Sequence, residues 1–272
     1  MSEIHPTAIV DPKASIADDV QIEAYTIIED DVIIGSGCKI GSCVRIHAGT
    51  RLGSGITIAH GVVLGSCPQD LKFKGEKTYL HVGDRTNIHE YCMLSRGTGD
   101  NGQTRVGKDC LLMAYTHVAH DCLLGDNIIL ANAVNMAGHV TIEDFAVLGG
   151  VVPIHQFVRI GCHVMIGGGF RVPKDVPPYI LAANEPLAFS GLNNVGLRRR
   201  GFSAETQKAL RHAYRLLYRS RLNVKQALER IEAECEQTPE VKHTIAFIRE
   251  SKRGIIPGMP PRHSRVESED ES

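Results

Sequence analysis

The 272-residue chain contains no tryptophan, and aromatic residues make up only 5% of it. A core with so few rings must be filled by aliphatic side chains, many of them β-branched. Net charge is missing too: 30 Lys and Arg stand against 31 Asp and Glu. That balance excludes a generally basic nucleic-acid binder and leaves room only for a local patch. No apolar run approaches the ~18 residues of a membrane span. The N-terminal stretch MSEIHPTAIV lacks the apolar core of a secretory signal. A cytoplasmic location without stable membrane insertion is expected. Eight cysteines include no CxxC pair and no zinc-like spacing, so a disulfide framework is not expected and no metal or cofactor is called for.

What the chain does have is a repeat. Stepping by six from Ile4 gives Ile4, Val10, Ile16, Ile22, Ile28, Ile34, Ile40, Ile46, Leu52, Ile58 and Leu64. The same frame resumes at Val82, Ile88 and Leu94, and then runs from Val106 to Val172. Of 29 frame positions between 4 and 172, 26 are aliphatic or Met; only Asp70, Glu76 and Asp100 are not. At 43% hydrophobic composition chance would supply about twelve. A second position, four residues after each, is small or β-branched and includes Cys38, Cys92, Cys110 and Cys122. These four read as small buried thiols. Gly35, Gly41, Gly53 and Gly161 each follow a frame residue and are expected to supply the positive φ of a tight corner.

Period six fits neither a helix nor simple alternation. It fits a parallel β-helix of hexapeptide repeats, in which three short strands and three turns close one triangular coil. Coils stack at ~4.8 Å per rung. The breaks at 66–79 and 97–104 are polar and read as loops thrown out from the coil, where function often sits. After Pro177 and Pro178 the frame stops. Residues 203–221 carry Leu210, Ala213, Leu216 and Leu217 at helical spacing behind an N-cap at Ser203. Asn223 caps a second helix, and Thr238-Pro239 opens a third. The expected organisation is a β-helix over 1–180, a helical domain over 181–256 that covers the last coil, and a disordered acidic tail over 257–272. Within 198–225 nine basic residues face one acid, Glu205, which points to a docking patch for an acidic partner or a phosphate.

Ten of the 13 histidines lie in the repeat region, none at an inward position. Residues 18 apart share a column, so His120 stacks on Gly138 and Gln156, and Asp121 on His139, with His155 beside them. A histidine in such a strip suits a general base, Asp121 its orienting partner, and the Gly138 N–H an oxyanion donor. This layout suits acyl transfer by direct attack on a thioester.

The segments PQDLKFKGE (68–76), SRGT (95–98), HVAHDC (117–122), MAGHV (136–140), IHQF (154–157), DVPPY (175–179) and GLRRRGF (196–202) appear in that order. Together with the coils, over roughly residues 2–256, they resemble the bacterial UDP-N-acetylglucosamine acyltransferases of lipid A synthesis. The resemblance implies left-handed coils, a homotrimer with sites between subunits, an acyl carrier protein as 3-hydroxyacyl donor, and a UDP-sugar acceptor. It also implies His120 as general base with Asp121, and Gly138 as oxyanion donor. His117 and His139 match residues lining the cleft, and His155 and Gln156 match groups holding sugar or pantetheine. Gln69, Asp70, Lys72 and Ser95 match acceptor contacts. Asn193, Arg199 and Arg200 match groups near the nucleotide, where Arg suits phosphate. Gly168 matches a position limiting acyl length. Ser95, Cys67, Pro186 and Val195 depart from residues that members often carry there, and the tail extends past the family's usual end.

Three other readings remain at this level. One is the same transfer to a 3-amino sugar. Another is a trimeric zinc hydrolyase of the γ-carbonic-anhydrase type, with His117, His120 and His139 as ligands. The third is a non-catalytic scaffold.

Overall fold

A computed structural model describes residues 2–259. The frame residues sit in strands mostly two residues long, and successive strands fall in turn on three different sheets. Leu111–Leu112 belongs to the first sheet, His117–Val118 to the second and Leu123–Leu124 to the third. Ile129–Leu130 then returns to the first, in parallel register with Leu111–Leu112. The sheets contain eleven, eight and eight strands. The result is a left-handed three-sided prism.

Frame residues from Ile22 to Val172 are buried wherever the coil is unbroken, and with the second inward position they form the core. Each such aliphatic side chain contributes roughly 1.5–3 kcal/mol by leaving water. Cys38, Cys110 and Cys122 donate Sγ–H to the corner carbonyls of Gly53, Gly125 and Ala137. Thr26 and Thr86 do the same with hydroxyls toward Gly41 and Gly107. Where Cys or Thr takes this position in place of Val or Ile, it fills the same space at the core edge and also donates to a corner carbonyl. Burial pushes the Cys122 thiol up to about 12, which leaves it unreactive. The described cysteines are all free thiols.

Four details differ from the sequence reading. Ile4 is 44% exposed, and Val10 and Ile16 are only half-buried, because the first coil has no rung above it. Gly35, Gly41, Gly53 and Gly161 do not have positive φ; that conformation falls two residues later, at Gly37, Cys43, Gly55 and His163. Glycine follows the frame residue because the next rung leaves no room. A Cβ on Gly35 would lie 2.6 Å from the Gly53 carbonyl oxygen, and one on Gly161 2.5 Å from the Pro178 nitrogen. The loops are shorter than expected, since Ser66, Tyr79, Gln103 and Thr104 join ladders.

The fourth difference is the start of the C-terminal part, which is not helical. Ile180–Ala183 pairs in parallel with Met165–Ile166 and antiparallel with Ala188–Leu192, extending the first sheet. The alternately buried side chains of Ile180–Ala183 suit a strand lying between these two partners, and Ala188–Leu192 forms the edge of the sheet. Helices follow: α1 (Asn194–Arg199), α2 (Ala204–Arg219), α3 (Val224–Glu234) and α4 (Pro239–Arg249), the last three capped by Ser203, Asn223 and Thr238 as expected. Tyr214 of α2 is buried over the last coil and donates its hydroxyl to the Pro178 carbonyl at 2.6 Å. Pro257 and Gly258, assigned to the tail from sequence, pair with Phe189 instead. The remainder of that tail, 260–272, lies outside the described residues.

Candidate active site

Both loop excursions leave the prism at one corner, between the second and third sheets. Residues 67–78 connect Val63–Ser66 to Tyr79–Val82, and 96–102 connect Met93–Ser95 to Gln103–Val106. One rung further along, the same corner is His120-Asp121, then Gly138-His139, then Gln156-Phe157. Backbone bonds fix this stack: His139 N–H donates to the His120 carbonyl and Phe157 N–H to that of Gly138. Asp121, His139 and Phe157 are all left-handed, at φ 59, 60 and 65°. The stacking bonds offset the modest cost of that conformation.

His120 Nδ1 lies 2.8 Å from Asp121 Oδ2. Thr98, in the second loop, donates its N–H to Asp121 Oδ1 at 3.0 Å and its hydroxyl to Oδ2 at 2.7 Å. Thr104 Oγ1 accepts the Asp121 N–H at 2.8 Å. Burial alone would raise the Asp121 carboxyl. Hydrogen bonds from His120 and Thr98, with the field of His139, outweigh it and hold the group below the usual carboxylate range. An ionised Asp121 only accepts, so His120 Nδ1 carries the proton and Nε2 keeps a free lone pair.

The imidazole of His120 lies against Gly138. A Cβ there would stand 2.5 Å from His120 Cε1 and 2.6 Å from Nε2. Glycine is present to seat the ring, not to provide an unusual φ. Among the described residues the Gly138 N–H has no backbone acceptor. His139 meets His120 edge to face, centroids 5.3 Å apart, and stacks on Phe157 at 4.7 Å. His139 Nε2 is 3.7 Å from Asp121 Oδ2, too far for a hydrogen bond. His117, one strand away, is drawn below the ordinary histidine range by burial, and its Nδ1 is buried without a partner.

The other expected site residues divide between corners. Gln69 and Lys72 are exposed in the first loop; Asp70 accepts the Lys72 N–H. Arg96 pins that loop by stacking on Phe73. Ser95 is 1% exposed and bonds Ser66, so it lies under the site surface. His155 is exposed and Gln156 half-exposed at the His120 corner. Asn193 belongs to the next corner, between the third and first sheets. Its Nδ2 donates to the His163 carbonyl and its Oδ1 caps α1. Arg200, after α1, lies over the Phe145 ring at 4.0 Å, at the same corner. Arg199 is exposed on α1, and Gly168 is exposed at the third corner. One side of the prism, on the order of 15 Å of chain, separates these corners from His120.

Phe145, His163 and Tyr179 form a ring stack beneath Arg200. Burial, reinforced by Arg200, pushes His163 from 6.5 down to about 4. The folded chain thus holds that proton less well than the unfolded chain. The stabilisation is complete above pH 6.5 and is lost as pH falls from 6.5 toward 4. His163→Phe, which preserves the stack, is expected to recover a few degrees of melting temperature at the acid end of that window, as about 1 kcal/mol would give. A thermal-melt series identical to the parent's would assign the acid loss elsewhere.

Two family models match: bacterial transferase hexapeptide (six repeats) over residues 13–48, and Udp N-acetylglucosamine O-acyltransferase, domain 2, over 175–256. The acyl-[acyl-carrier-protein]–UDP-N-acetylglucosamine O-acyltransferase of Sulfurihydrogenibium sp. is 50% identical over 271 residues, covering 99% of this chain and all of the relative. The enzyme of that name from Thiobacillus denitrificans is 44% identical, covering 94% of this chain and all of its own.

The chain belongs to the UDP-N-acetylglucosamine acyltransferase family.

The family's solved structures agree with the assignment. The Bacteroides fragilis UDP-N-acetylglucosamine acyltransferase is 47% identical with a TM-score of 0.92, covering 93% of this chain and 99% of its own. The Francisella novicida enzyme is 34% identical with a TM-score of 0.91, covering 99% of each chain. Some relatives, such as the Thiobacillus denitrificans enzyme, are matched in full by 94% of this chain, while others align over 99% of it. The relatives support neither the 3-amino acceptor nor the zinc hydrolyase. Within the site, His120, Asp121 and His139 cluster, whereas His117 does not join them. Thr98, Thr104 and Phe157 were not identified from sequence. Thr98 sits 23 residues before Asp121, and a step of 18 cannot cross a loop.

Proposed function

We propose that the chain transfers a 3-hydroxyacyl group from acyl carrier protein to the 3-hydroxyl of UDP-N-acetylglucosamine, opening lipid A synthesis. One observation carries the mechanism: His120 is oriented by an ionised Asp121 with its ring laid on Gly138. Nε2 takes the O3 proton as the oxygen attacks the thioester carbonyl. The tetrahedral oxyanion is met by the Gly138 N–H. Collapse breaks the carbon–sulfur bond, and protonated His120 returns its proton to the departing thiolate. Gln69, Asp70, Lys72, His139, His155 and Gln156 belong to the same corner and are the groups assigned to hold the substrates there. A donor on acyl carrier protein and a nucleotide-sugar acceptor both suit a cytoplasmic enzyme, and no described helix is long and apolar enough to cross a membrane.

The nucleotide-side groups Asn193, Arg199 and Arg200 stand one corner away, so the working site takes two copies of the chain. A homotrimer supplies that pairing three times over. Asn193 spends both ends of its amide within its own chain, and so serves by setting α1 and its arginines. Co-expressing inactive His120→Ala with inactive Arg200→Ala tests this. Random mixed trimers should regain roughly a quarter of parental activity, because one site in four then holds both intact residues. No recovery would place the whole site in one chain.

The basic region forms a groove of about 750 Å³ between α2 and the 189–194 segment, lined by Lys208, Arg211, Arg215 and Arg219. An acidic carrier docks there by charge complementarity. Arg211→Ala with Arg215→Ala should raise KM for the carrier-bound donor by about tenfold at low salt, and less at high salt. An unchanged donor KM at low salt would remove the groove from carrier binding.

A further inference from the structure

A second cluster of chemically capable side chains lies at the junction of the prism with the helices, at the corner between the third and first sheets that also carries Phe145 and His163. Glu143 follows Thr141–Ile142 and Cys162 follows Arg159–Ile160, on adjacent rungs. His243 reaches them from α4. His243 Nε2 lies 2.8 Å from Glu143 Oε2, which also accepts the Cys162 N–H at 2.9 Å. One ligand atom from each of Glu143, Cys162 and His243 lies within 4.8 Å of the others, and all three residues are half-buried.

We infer that Glu143, Cys162 and His243 form a zinc site joining α4 to the β-helix. A thiolate, an imidazole and a carboxylate are the donor set that favours zinc over harder cations. Zinc lies about 2.3 Å from sulfur and about 2.0 Å from nitrogen or oxygen. A tetrahedral arrangement then puts neighbouring donors roughly 3.3–3.6 Å apart. The His243–Glu143 contact of 2.8 Å must open by about half an ångström, and no other separation need close by more than about one. Both are within side-chain rotation. Water takes the fourth position. The three donors come from rungs and a helix 100 residues apart, so the ion would tether the helices that carry the basic groove to the prism, and its binding energy would add to that docking.

The test uses the full-length chain carrying Cys43→Ser and Cys67→Ser, which removes the two exposed thiols, in metal-free buffer. Titration with Co²⁺ is expected to give a thiolate-to-cobalt charge-transfer band and tetrahedral d–d absorption, saturating at one ion per chain. Zn²⁺ should bleach both and raise the melting temperature by several degrees. Cys162→Ser should abolish the charge-transfer band, and His243→Gln should weaken Co²⁺ binding by about tenfold or more. Absence of the band, or its survival in Cys162→Ser, would overturn the site. Should Cys162→Ser not fold, His243→Gln decides: unchanged affinity there overturns it equally.

Discussion

Changing His120 to alanine lowers kcat by about 10³-fold or more, while the fold and melting temperature stay near the parent's. The expected size follows from general-base catalysis, worth about 10²–10⁴-fold, with the loss of the acid that protonates the leaving thiolate. The structure explains why the fold tolerates the change. His120 points away from the aliphatic core, and its contacts are Asp121, the edge of His139 and the bare face of Gly138. Substrate KM values change little, since the imidazole acts on one proton. Steady-state kinetics on a homogeneous preparation, checked by circular dichroism and sizing, makes the comparison. Activity within about tenfold of the parent would end the mechanism proposed for this corner.

The second large effect is expected at Gly138. Gly138→Ala lowers kcat by about 10²–10³-fold although it removes no functional group, because losing ring placement forfeits most of the general-base gain. The new methyl would sit 2.5 Å from His120 Cε1, so the ring must leave Asp121 or the corner must shift. The backbone N–H remains in either case. A double-mutant cycle therefore separates two explanations. If the methyl acts by displacing the imidazole, adding Gly138→Ala to His120→Ala costs almost nothing more. A full further loss in that background would instead show that the corner backbone had moved away from the oxyanion.

Much of this was legible in the sequence because a hexapeptide coil repeats its geometry. A side chain's direction depends only on its place in the frame. Stepping by six therefore found the core, and stepping by 18 brought His120, Gly138 and Gln156 into one column and Asp121 and His139 into the next. The helix caps at Ser203, Asn223 and Thr238 were equally readable, since each is decided by a few neighbouring residues. The method stops where the repeat does. Across the two loops sequence distance no longer measures height, which hid Thr98 and with it the hydrogen bonds that keep Asp121 ionised. The role of glycine after the frame residue also escaped it, since the obstruction comes from the next rung and not from local φ.

The sequence by itself determined the prism, its aliphatic axis and the histidine strip, because those depend on period alone. Only the tertiary structure decided that both loops open at the His120 corner, that Arg200 rests on Phe145 one corner away, and that α4 brings His243 to Glu143 and Cys162. These juxtapositions join elements with no shared register, and only close packing of the whole chain fixes them.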